Sequence, residues 1–475
     1  MSRLSQSGDY ESVINPRRKH SAFRDEVLPA TVTEGFPVHP KPTTEIPQQP
    51  EQTAEIGAVD GWSLRKGHGL TFIALFFFSV VLYFRPYELI PALSSFNQMA
   101  FFFGVLTLAI YVPSQLILEG NLTARPREIH LILFLCLAAF LSMPMATSPG
   151  EAYKEFTDVL LKAIVIFIVI VNVVRTENRL KLLIWLAFAV SLYLSYYAIS
   201  DYMHGNFREG SAFYNNQRIG GVIRGLFGNS NDLALHLVTM VPLAIGFAFA
   251  SKGILRKLLY VSFSVLFISA IVVTFSRGAF LGLFVTALVL VRKIGRKNKT
   301  LSAGVLVVAL LALLALAPAS YSNRLSTILS SSADTTGSSS QRTEILKRSI
   351  WVTLRYPLFG VGVGNFHYKS VHELVTHNAY TQVSSEMGIP ALVMYLMLMI
   401  YPQRRLREIE LATADDPAKR KLHYWSIGIQ ASIIAYMVSS FFGAVAYQWY
   451  IYYLVGYAVA VRRIYYVDQH AEPKS

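Results

Sequence analysis

Two arginines and a histidine are the residues of this chain whose types best suit chemistry: Arg224, Arg277 and His377. A guanidinium stays protonated at neutral pH, and its fork of N–H donors matches the oxygens of a phosphate. A histidine titrates near neutral pH and can act as a general base toward a hydroxyl group. Together these residue types predict a site that holds an anion and accepts a proton.

Arg277 lies between two apolar runs of the chain. An arginine at membrane depth costs about 2.5 kcal/mol or more on insertion scales, so its side chain should face a polar cavity or an anion. The alternative is an arginine that snorkels to the membrane surface. Because Ser276 and Gly278 break the apolar run at this point, the sequence favours a cavity.

Arg224 lies in the segment Gly220–Asp232, whose four glycines let the backbone approach a ligand closely. The segment ends in Asn229, Ser230 and Asn231, one of which should cap the apolar helix that follows. A helix N-terminus beside an arginine makes an anion site. A capped loop with a solvated arginine explains the same residues, and the sequence leaves both interpretations open.

His377 stands just before an apolar run, and a surface or structural histidine is the alternative to a general base. The neighbouring His367 and His372 raise the possibility of a metal site. Their spacing matches no zinc signature, and the single cysteine of the chain, Cys136, falls within an apolar run. Glu386 could orient an imidazole or cap a helix. We therefore expect no metal and no cofactor.

The composition predicts an all-α, polytopic membrane protein. Hydrophobic residues make up 53% of the chain and charged residues only 15%, against roughly 25% in soluble domains. A β-barrel would show short alternating segments instead of long apolar runs. About twelve runs are long enough to cross a bilayer, near residues 70–91, 98–118, 129–146, 158–174, 182–200, 231–250, 256–274, 278–292, 301–318, 385–402, 424–442 and 446–461.

The net charge of +14 comes largely from Lys and Arg in alternate short loops. The positive-inside rule explains this pattern without nucleic acid, and it places both termini in the cytoplasm. Two longer loops, 201–230 and 319–384, then lie outside. Within the second loop, Ser330–Ser340 is predicted to be a flexible segment and Gln341–Tyr356 an amphipathic helix. The run Gly360–Gly364 is a weak nucleotide fingerprint and is better explained as a tight turn.

The same patterns divide the chain into a transmembrane domain and two tails. Residues 1–68 are polar and rich in Pro, Thr, Gln and Glu, so they predict a disordered cytoplasmic tail. Residues 69–463 form the predicted transmembrane domain, with a large outer loop at about 319–384 that carries amphipathic helices. Residues 464–475 are predicted to be a second cytoplasmic tail.

Four motifs within residues 215–400 resemble those of the O-antigen ligase superfamily, the bacterial membrane glycan ligases and polymerases. Their order, spacing and position relative to the apolar runs match those of the superfamily. The motifs are Gly228-Asn229-Ser230-Asn231, Thr274-Phe275-Ser276-Arg277-Gly278-Ala279, Pro357-Leu358-Phe359-Gly360-Val361-Gly362-Val363-Gly364-Asn365-Phe366, and His377-Asn378 followed by Gln382 and Glu386-Met387-Gly388-Ile389-Pro390.

The resemblance implies a metal-independent, inverting glycosyltransferase in the bacterial inner membrane, with its active site on the periplasmic side. The donor would be a glycan on undecaprenyl diphosphate, and the acceptor a lipid A core, a protein or another glycan. Arg224 and Arg277 would hold the diphosphate, and His377 would activate the acceptor hydroxyl. The secondary candidates for the site are Arg342, Asn229, Tyr380 and Glu386.

The resemblance does not distinguish between related activities. A ligase would move a finished glycan onto lipid A core during lipopolysaccharide biosynthesis, whereas a polymerase would lengthen the glycan on its own carrier. A protein O-glycosylating enzyme is a further variant of the ligase. A transporter or flippase is the alternative from another class, but the two halves show no clear repeat.

Overall fold

A computed structural model describes residues 67–96, 98–207, 219–295 and 338–471 of the chain. In these ranges the fold is all-helical and contains no strand. The predicted tail before residue 67, the predicted span 301–318 and most of the Ser330–Ser340 segment lie outside the described residues. The longer helices are α1 (Gly69–Phe84), α2 (Met99–Glu119), α3 (Arg127–Ser142), α4 (Pro149–Val173), α5 (Glu177–Met203), α6 (Ser230–Ala250), α7 (Ile254–Val273), α8 (Arg277–Ile294), α9 (Ser338–Arg355), α10 (Ala379–Met387), α11 (Ile389–Ala412), α12 (Arg420–Ser439) and α13 (Trp449–Ala471).

Eight helices of the described ranges are long and apolar enough to cross a membrane: α1 to α7 and α12. Each coincides with a predicted span. Three further predicted spans correspond to α8, α11 and α13, which are too charged or too polar over their length to qualify by the same measure. The structure therefore confirms an all-helical protein with several apolar spans, while the count of about twelve spans stays a prediction.

Helices α6 and α13 lie at the centre of the bundle. Nearly all of α6 is buried, and it packs along α12, where a Cβ atom built on Gly428 would lie only 3.3 Å from Cα of Gly246. Small residues let two helix backbones approach this closely. Helix α13 is buried from Trp449 to Tyr465. Two of its tyrosines have polar partners inside the bundle: the Tyr453 hydroxyl meets Ser79 at 2.7 Å, and the Tyr452 hydroxyl donates to Ala446 O at 3.0 Å.

Polar contacts sort the helix ends into two groups. At one end, which we call the site end, Asn365 accepts a hydrogen bond from Ser148 N at 2.7 Å, and Tyr447 donates one to Glu386 at 2.7 Å. Ser148 and Asn365 lie in loops that the charge pattern places outside. Glu386 and Tyr447 lie at the outer ends of two predicted spans. The contacts show that these segments meet at one end of the bundle, while the side of the membrane that this end faces stays a prediction.

The opposite end of the bundle carries buried ion pairs. Arg462 near the end of α13 makes two hydrogen bonds with Glu128 of α3, at 3.0 and 2.9 Å. Glu119 at the end of α2 pairs with Arg175 and Arg463. These residues come from segments that the charge pattern assigns to the inside. Paired charges of this kind fix the relative positions of the helices at that end.

Candidate functional site

A cavity of about 490 Å³ at the site end is lined by Arg277, Arg342 and His377. We call it the cationic cavity. Its remaining walls are mostly apolar and come from α8, α9, the residues just before α10 and the segment after α12: Phe280, Leu281, Phe284, Thr343, Leu346, Thr376, Asn378, Phe441 and Phe442. No carboxylate is among these described lining residues. Two guanidinium groups and an imidazole therefore share one apolar pocket.

A break between two helices places Arg277 in this cavity. Helix α7 ends at Val273, and Phe275 turns the chain with a positive φ of 53°. Ser276 then caps α8 by accepting a hydrogen bond from Ala279 N at 3.4 Å, and its hydroxyl donates to Asn231 at 3.0 Å. The predicted break at Ser276 is thus confirmed. The contact with Asn231 ties two of the sequence motifs together.

His377 is held by the residues on either side of it. Its backbone has a positive φ of 51°, a conformation in which histidine is found more often than most residues. Asn378 caps α10 by accepting from Tyr380 N at 2.9 Å and Thr381 N at 3.1 Å. Thr376 donates to the Asn378 carbonyl at 3.2 Å. A turn fixed at both flanks points the imidazole in one direction, as a positioned base requires.

Arg342 enters the cavity from α9, the helix predicted as amphipathic. Helix α9 buries Ile345 and Val352 against Val361 and Phe366. Of the apolar positions that indicated this helix, Ile345 is buried, whereas Ile350 and Leu354 are 47% and 70% exposed. The exposed apolar residues can rest against lipid, so the helix buries only part of its apolar surface within the protein.

The helix termini around the cavity add to its positive potential. Helices α6, α8 and α10 begin at Asn229, Ser276 and Asn378. Each of these N-termini lies close to the cationic cavity or to a neighbouring cavity described below. The N-terminus of a helix carries partial positive charge and attracts anions. Burial, with a smaller contribution from the Arg342 guanidinium, lowers the pKa of His377 to about 4. The imidazole is therefore neutral at pH 7.

A second cavity, of about 280 Å³, shares Thr376, His377 and Phe442 with the cationic cavity. We call it the polar cavity, because carboxylate and amide side chains line it: Glu155, Glu386, Asp232, Asn229, Asn231 and Gln382. Its hydrogen-bonding groups suit a ligand rich in hydroxyls. His377 therefore lies at the boundary between an apolar pocket with cations and a polar pocket with carboxylates.

Glu386 is almost fully buried in the wall of the polar cavity. Its carboxylate accepts hydrogen bonds from Gly364 N at 2.8 Å and the Tyr447 hydroxyl at 2.7 Å. The contacts show Glu386 joining the glycine turn to the segment before α13, which differs from either role considered for it in the sequence.

The other predicted residues occupy different places. The backbone of Arg224 starts a short helix, Arg224–Phe227, but its side chain lies outside what the structure describes. Asn229 caps α6, as one residue of its motif was predicted to do, and it lines the polar cavity. Tyr380 is turned away from both cavities toward α12, where its hydroxyl donates to Met437 O at 2.6 Å.

Sequence reasoning missed two carboxylates and an aromatic wall. Glu155 lies on α4, far from every motif. Asp232 directly follows the motif Gly228-Asn229-Ser230-Asn231, in which only the residues before Asp232 suggested a role. Phe441 and Phe442 come from the end of α12, a segment with no polar signal. An acidic residue at the start of an apolar span was the one available sign for Glu155. The described residues contain no group of three His, Cys, Asp or Glu side chains suited to a metal ion.

Gly388 is the point at which the glycine turn meets α10 and α11. It has φ 89° and ψ 173°, and a Cβ atom there would lie 2.2 Å from Leu358 O. We expect Gly388→Ala to lower the free energy of unfolding by about 1–3 kcal/mol, because the backbone would be strained and the turn displaced. Thermal unfolding of the purified chain measures this change. Gly150→Ala is the control, since a Cβ atom there meets nothing within 4 Å, and equal melting temperatures for both variants would contradict the expectation.

Comparison with known families agrees with the resemblance drawn from the motifs. Residues 262–396 match the model of the O-antigen ligase family. This segment belongs to the O-antigen ligase family. The O-antigen ligase segment contains Arg277, Arg342 and His377, the three charged or titratable residues of the cationic cavity. Arg224 and Asn229 precede it. No curated protein matches the chain. The protein is accordingly a membrane enzyme of the O-antigen ligase and polymerase type.

Proposed function

We propose that this protein transfers a glycan from a lipid diphosphate to an acceptor hydroxyl, with undecaprenyl diphosphate as the carrier. The observation that carries the proposal is the shared cavity of Arg277, Arg342 and His377. The site end would face the periplasm of a bacterial inner membrane, in agreement with the charge pattern of the loops. The O-antigen ligase match supports the reaction class.

The cationic cavity would hold the diphosphate and the first part of its lipid. As the bond to the sugar breaks, negative charge grows on the departing phosphate oxygens. Guanidinium groups fixed in a pocket with apolar walls stabilise that charge strongly. The apolar wall continues onto the outer surface of α8, where Leu281, Phe284 and Leu288 are 41%, 38% and 44% exposed. An isoprenoid chain could leave the pocket along this face into the bilayer.

The polar cavity would receive the reacting sugar and the acceptor hydroxyl, next to His377. The neutral imidazole takes the proton from the hydroxyl as the oxygen attacks the anomeric carbon opposite the leaving diphosphate, which inverts that carbon. A pKa of about 4 makes His377 a weak base before the donor binds. Negative charge on the bound diphosphate would raise this pKa toward neutrality. The donor would thereby strengthen the base when it is needed.

The pH dependence of His377 tests its electrostatic environment without an activity assay. Because burial and, to a smaller extent, the Arg342 guanidinium lower its pKa to about 4, the imidazole should stay neutral, and reactive toward diethyl pyrocarbonate, down to about that pH. Below that pH protonation removes the reactivity. Arg342→Ala should move the midpoint to higher pH, since a positive charge that disfavours the imidazolium is gone. Peptide mass spectrometry measures the modified fraction.

The exposed Arg355 lies on the same helix as Arg342 and supplies the matched control. Arg355→Ala should leave the midpoint of His377 modification where it is in the unaltered protein. Equal midpoints for Arg342→Ala and the unaltered protein would show that Arg342 has no electrostatic effect on the imidazole.

A deletion strain separates the ligase from the polymerase. Accumulation of long lipid-linked chains would support a ligase, and accumulation of single repeat units a polymerase. Mass spectrometry of the surface glycan and its attachment point, in cells with and without the gene, measures both. A glycosylated protein lost on deletion would identify a protein O-glycosylating enzyme. If deletion changes no glycan, the proposed function is wrong.

A further inference from the structure

A third cavity, of about 400 Å³, lies beside the polar cavity at the site end. We call it the flanking cavity. Three segments run from one cavity to the other: Glu155 and Asp158 stand one turn apart on α4, Asn229 follows Leu226, and Ala444 precedes Gln448. The cationic, polar and flanking cavities therefore lie in a row, with the polar cavity in the middle.

The charges of the flanking cavity are balanced. Lys162 pairs with Asp158 at 3.4 Å, and Arg85 pairs with Glu88 at 2.7 Å. A site with paired charges offers donors and acceptors in similar number and does not select an anion. Its polar groups suit an uncharged ligand with many hydroxyls.

Three aromatic and two amide side chains form another part of the cavity wall. Tyr87, Phe101 and Trp449 line the cavity together with Gln98 and Gln448. Trp449 is 6% exposed, and its indole Nε1 has no hydrogen-bond partner within the described part of the chain. Buried indole N–H groups usually have a partner. A ligand in this cavity would therefore contact the indole ring of Trp449, which lines the wall, and not the buried N–H.

One glycine is required for this wall to form. Gly225 N donates to the Glu88 carboxylate at 3.1 Å, and a Cβ atom on Gly225 would lie 1.9 Å from Arg85 Nη1. The segment Arg224–Phe227 thus packs directly on the Arg85–Glu88 ion pair. In the sequence, the glycines around Arg224 indicated close approach to a ligand, whereas Gly225 is needed for close approach to the wall of the flanking cavity.

We propose that the flanking cavity is a saccharide subsite, which binds uncharged sugar units next to the reacting sugar. The row of cavities, the paired charges and the aromatic residues carry this proposal, and it rests on the proposed function. Aromatic faces pack on the apolar faces of sugar rings, while amide and charged side chains bond to their hydroxyls. The sugars belong either to the acceptor or to the distal part of the donor glycan.

The kinetic test uses the full-length purified chain with lipid-linked donors from native cells, carrying one or several repeat units. We expect Trp449→Phe, which shortens the aromatic wall, and Lys162→Ala, which removes a hydrogen-bond donor, each to raise KM roughly tenfold, with kcat within about twofold. Lys154→Ala is the matched control, because Lys154 is exposed on the same helix and lines none of the three cavities. A rise confined to long donors identifies donor sugars, and a rise in the KM of the acceptor identifies acceptor sugars.

A binding measurement separates this proposal from the proposed function. Free oligosaccharide released from the native surface glycan should show saturation transfer in NMR with the unaltered protein, and the signal should fall in Trp449→Phe. Variants that keep wild-type KM for donor and acceptor, or an oligosaccharide without saturation transfer, would overturn the subsite even if His377→Ala abolishes transfer. An active His377→Ala enzyme with intact saturation transfer would instead overturn the assigned role of His377 and leave the subsite standing.

Discussion

Replacing His377 with alanine should lower glycan transfer by about 10²- to 10⁴-fold, the usual contribution of a positioned general base. The imidazole lies at the boundary of the cationic and polar cavities, where an attacking hydroxyl would meet the lipid diphosphate. Without it, no described side chain shared by both cavities can accept the proton at neutral pH, since the other shared residues are Thr376 and Phe442. Transfer to the acceptor by purified protein, followed on gels, measures the loss.

The backbone at His377 calls for a second variant. Alanine is disfavoured at its positive φ of 51°, so part of the loss could come from a displaced turn. Asparagine tolerates this conformation and lacks a basic nitrogen. His377→Asn should therefore be as inactive as His377→Ala while melting at the temperature of the unaltered protein. His130→Ala, an exposed histidine at the opposite end, should retain activity. Transfer at the normal rate by His377→Asn would refute the role of the imidazole.

Replacing Arg277 with alanine should lower kcat by about 10²- to 10³-fold, the range seen when one fixed donor to a developing anion is removed. Arg277 stands at the N-terminus of α8, where the helix and the guanidinium both favour negative charge. The loss should fall mainly on kcat, because charge on the phosphate oxygens grows as the bond breaks. Rates at saturating donor separate this effect from weaker binding.

Two further variants locate the effect in the guanidinium. Arg277→Lys should recover only a small part of the rate, since an ammonium keeps the charge and loses the fork of donors. Arg292→Ala, near the other end of the same helix and exposed, should transfer at the normal rate. If Arg277→Lys were fully active, charge alone would suffice and the forked contact with phosphate would be wrong.

Local features of the site could be predicted from the sequence. The break before α8, the cap at Asn229 and the turn at Gly360–Gly364 follow from residue types a few positions apart, and the structure has all three. The positions of the apolar spans followed from length and hydropathy, because each helix must bury its backbone polar groups whatever its neighbours are.

The tertiary part of the site could not be predicted in the same way. Arg342 reaches the cavity because α9 packs Val352 on the glycine turn, and Glu155 arrives from a helix nearly two hundred positions earlier. Neither placement leaves a signal in local spacing. The burial of α13 by its neighbours could not be predicted from hydropathy either, because nothing in its own composition shows how many helices surround it. The hydroxyls of Tyr452 and Tyr453 form hydrogen bonds inside the bundle, which lets a polar helix be buried there.

The ion pair between Glu128 and Arg462 has a consequence for how the protein is made. Glu128 emerges from the ribosome more than three hundred residues before its partner, and its side chain is fully buried in the finished bundle. A buried carboxylate without its counter-ion costs about 3–5 kcal/mol. Biogenesis should therefore pass through a loosely assembled intermediate that closes only when the last helix inserts. Chains truncated before Trp449 should be degraded by membrane quality-control proteases, and the supply of this enzyme in the cell would depend on complete translation.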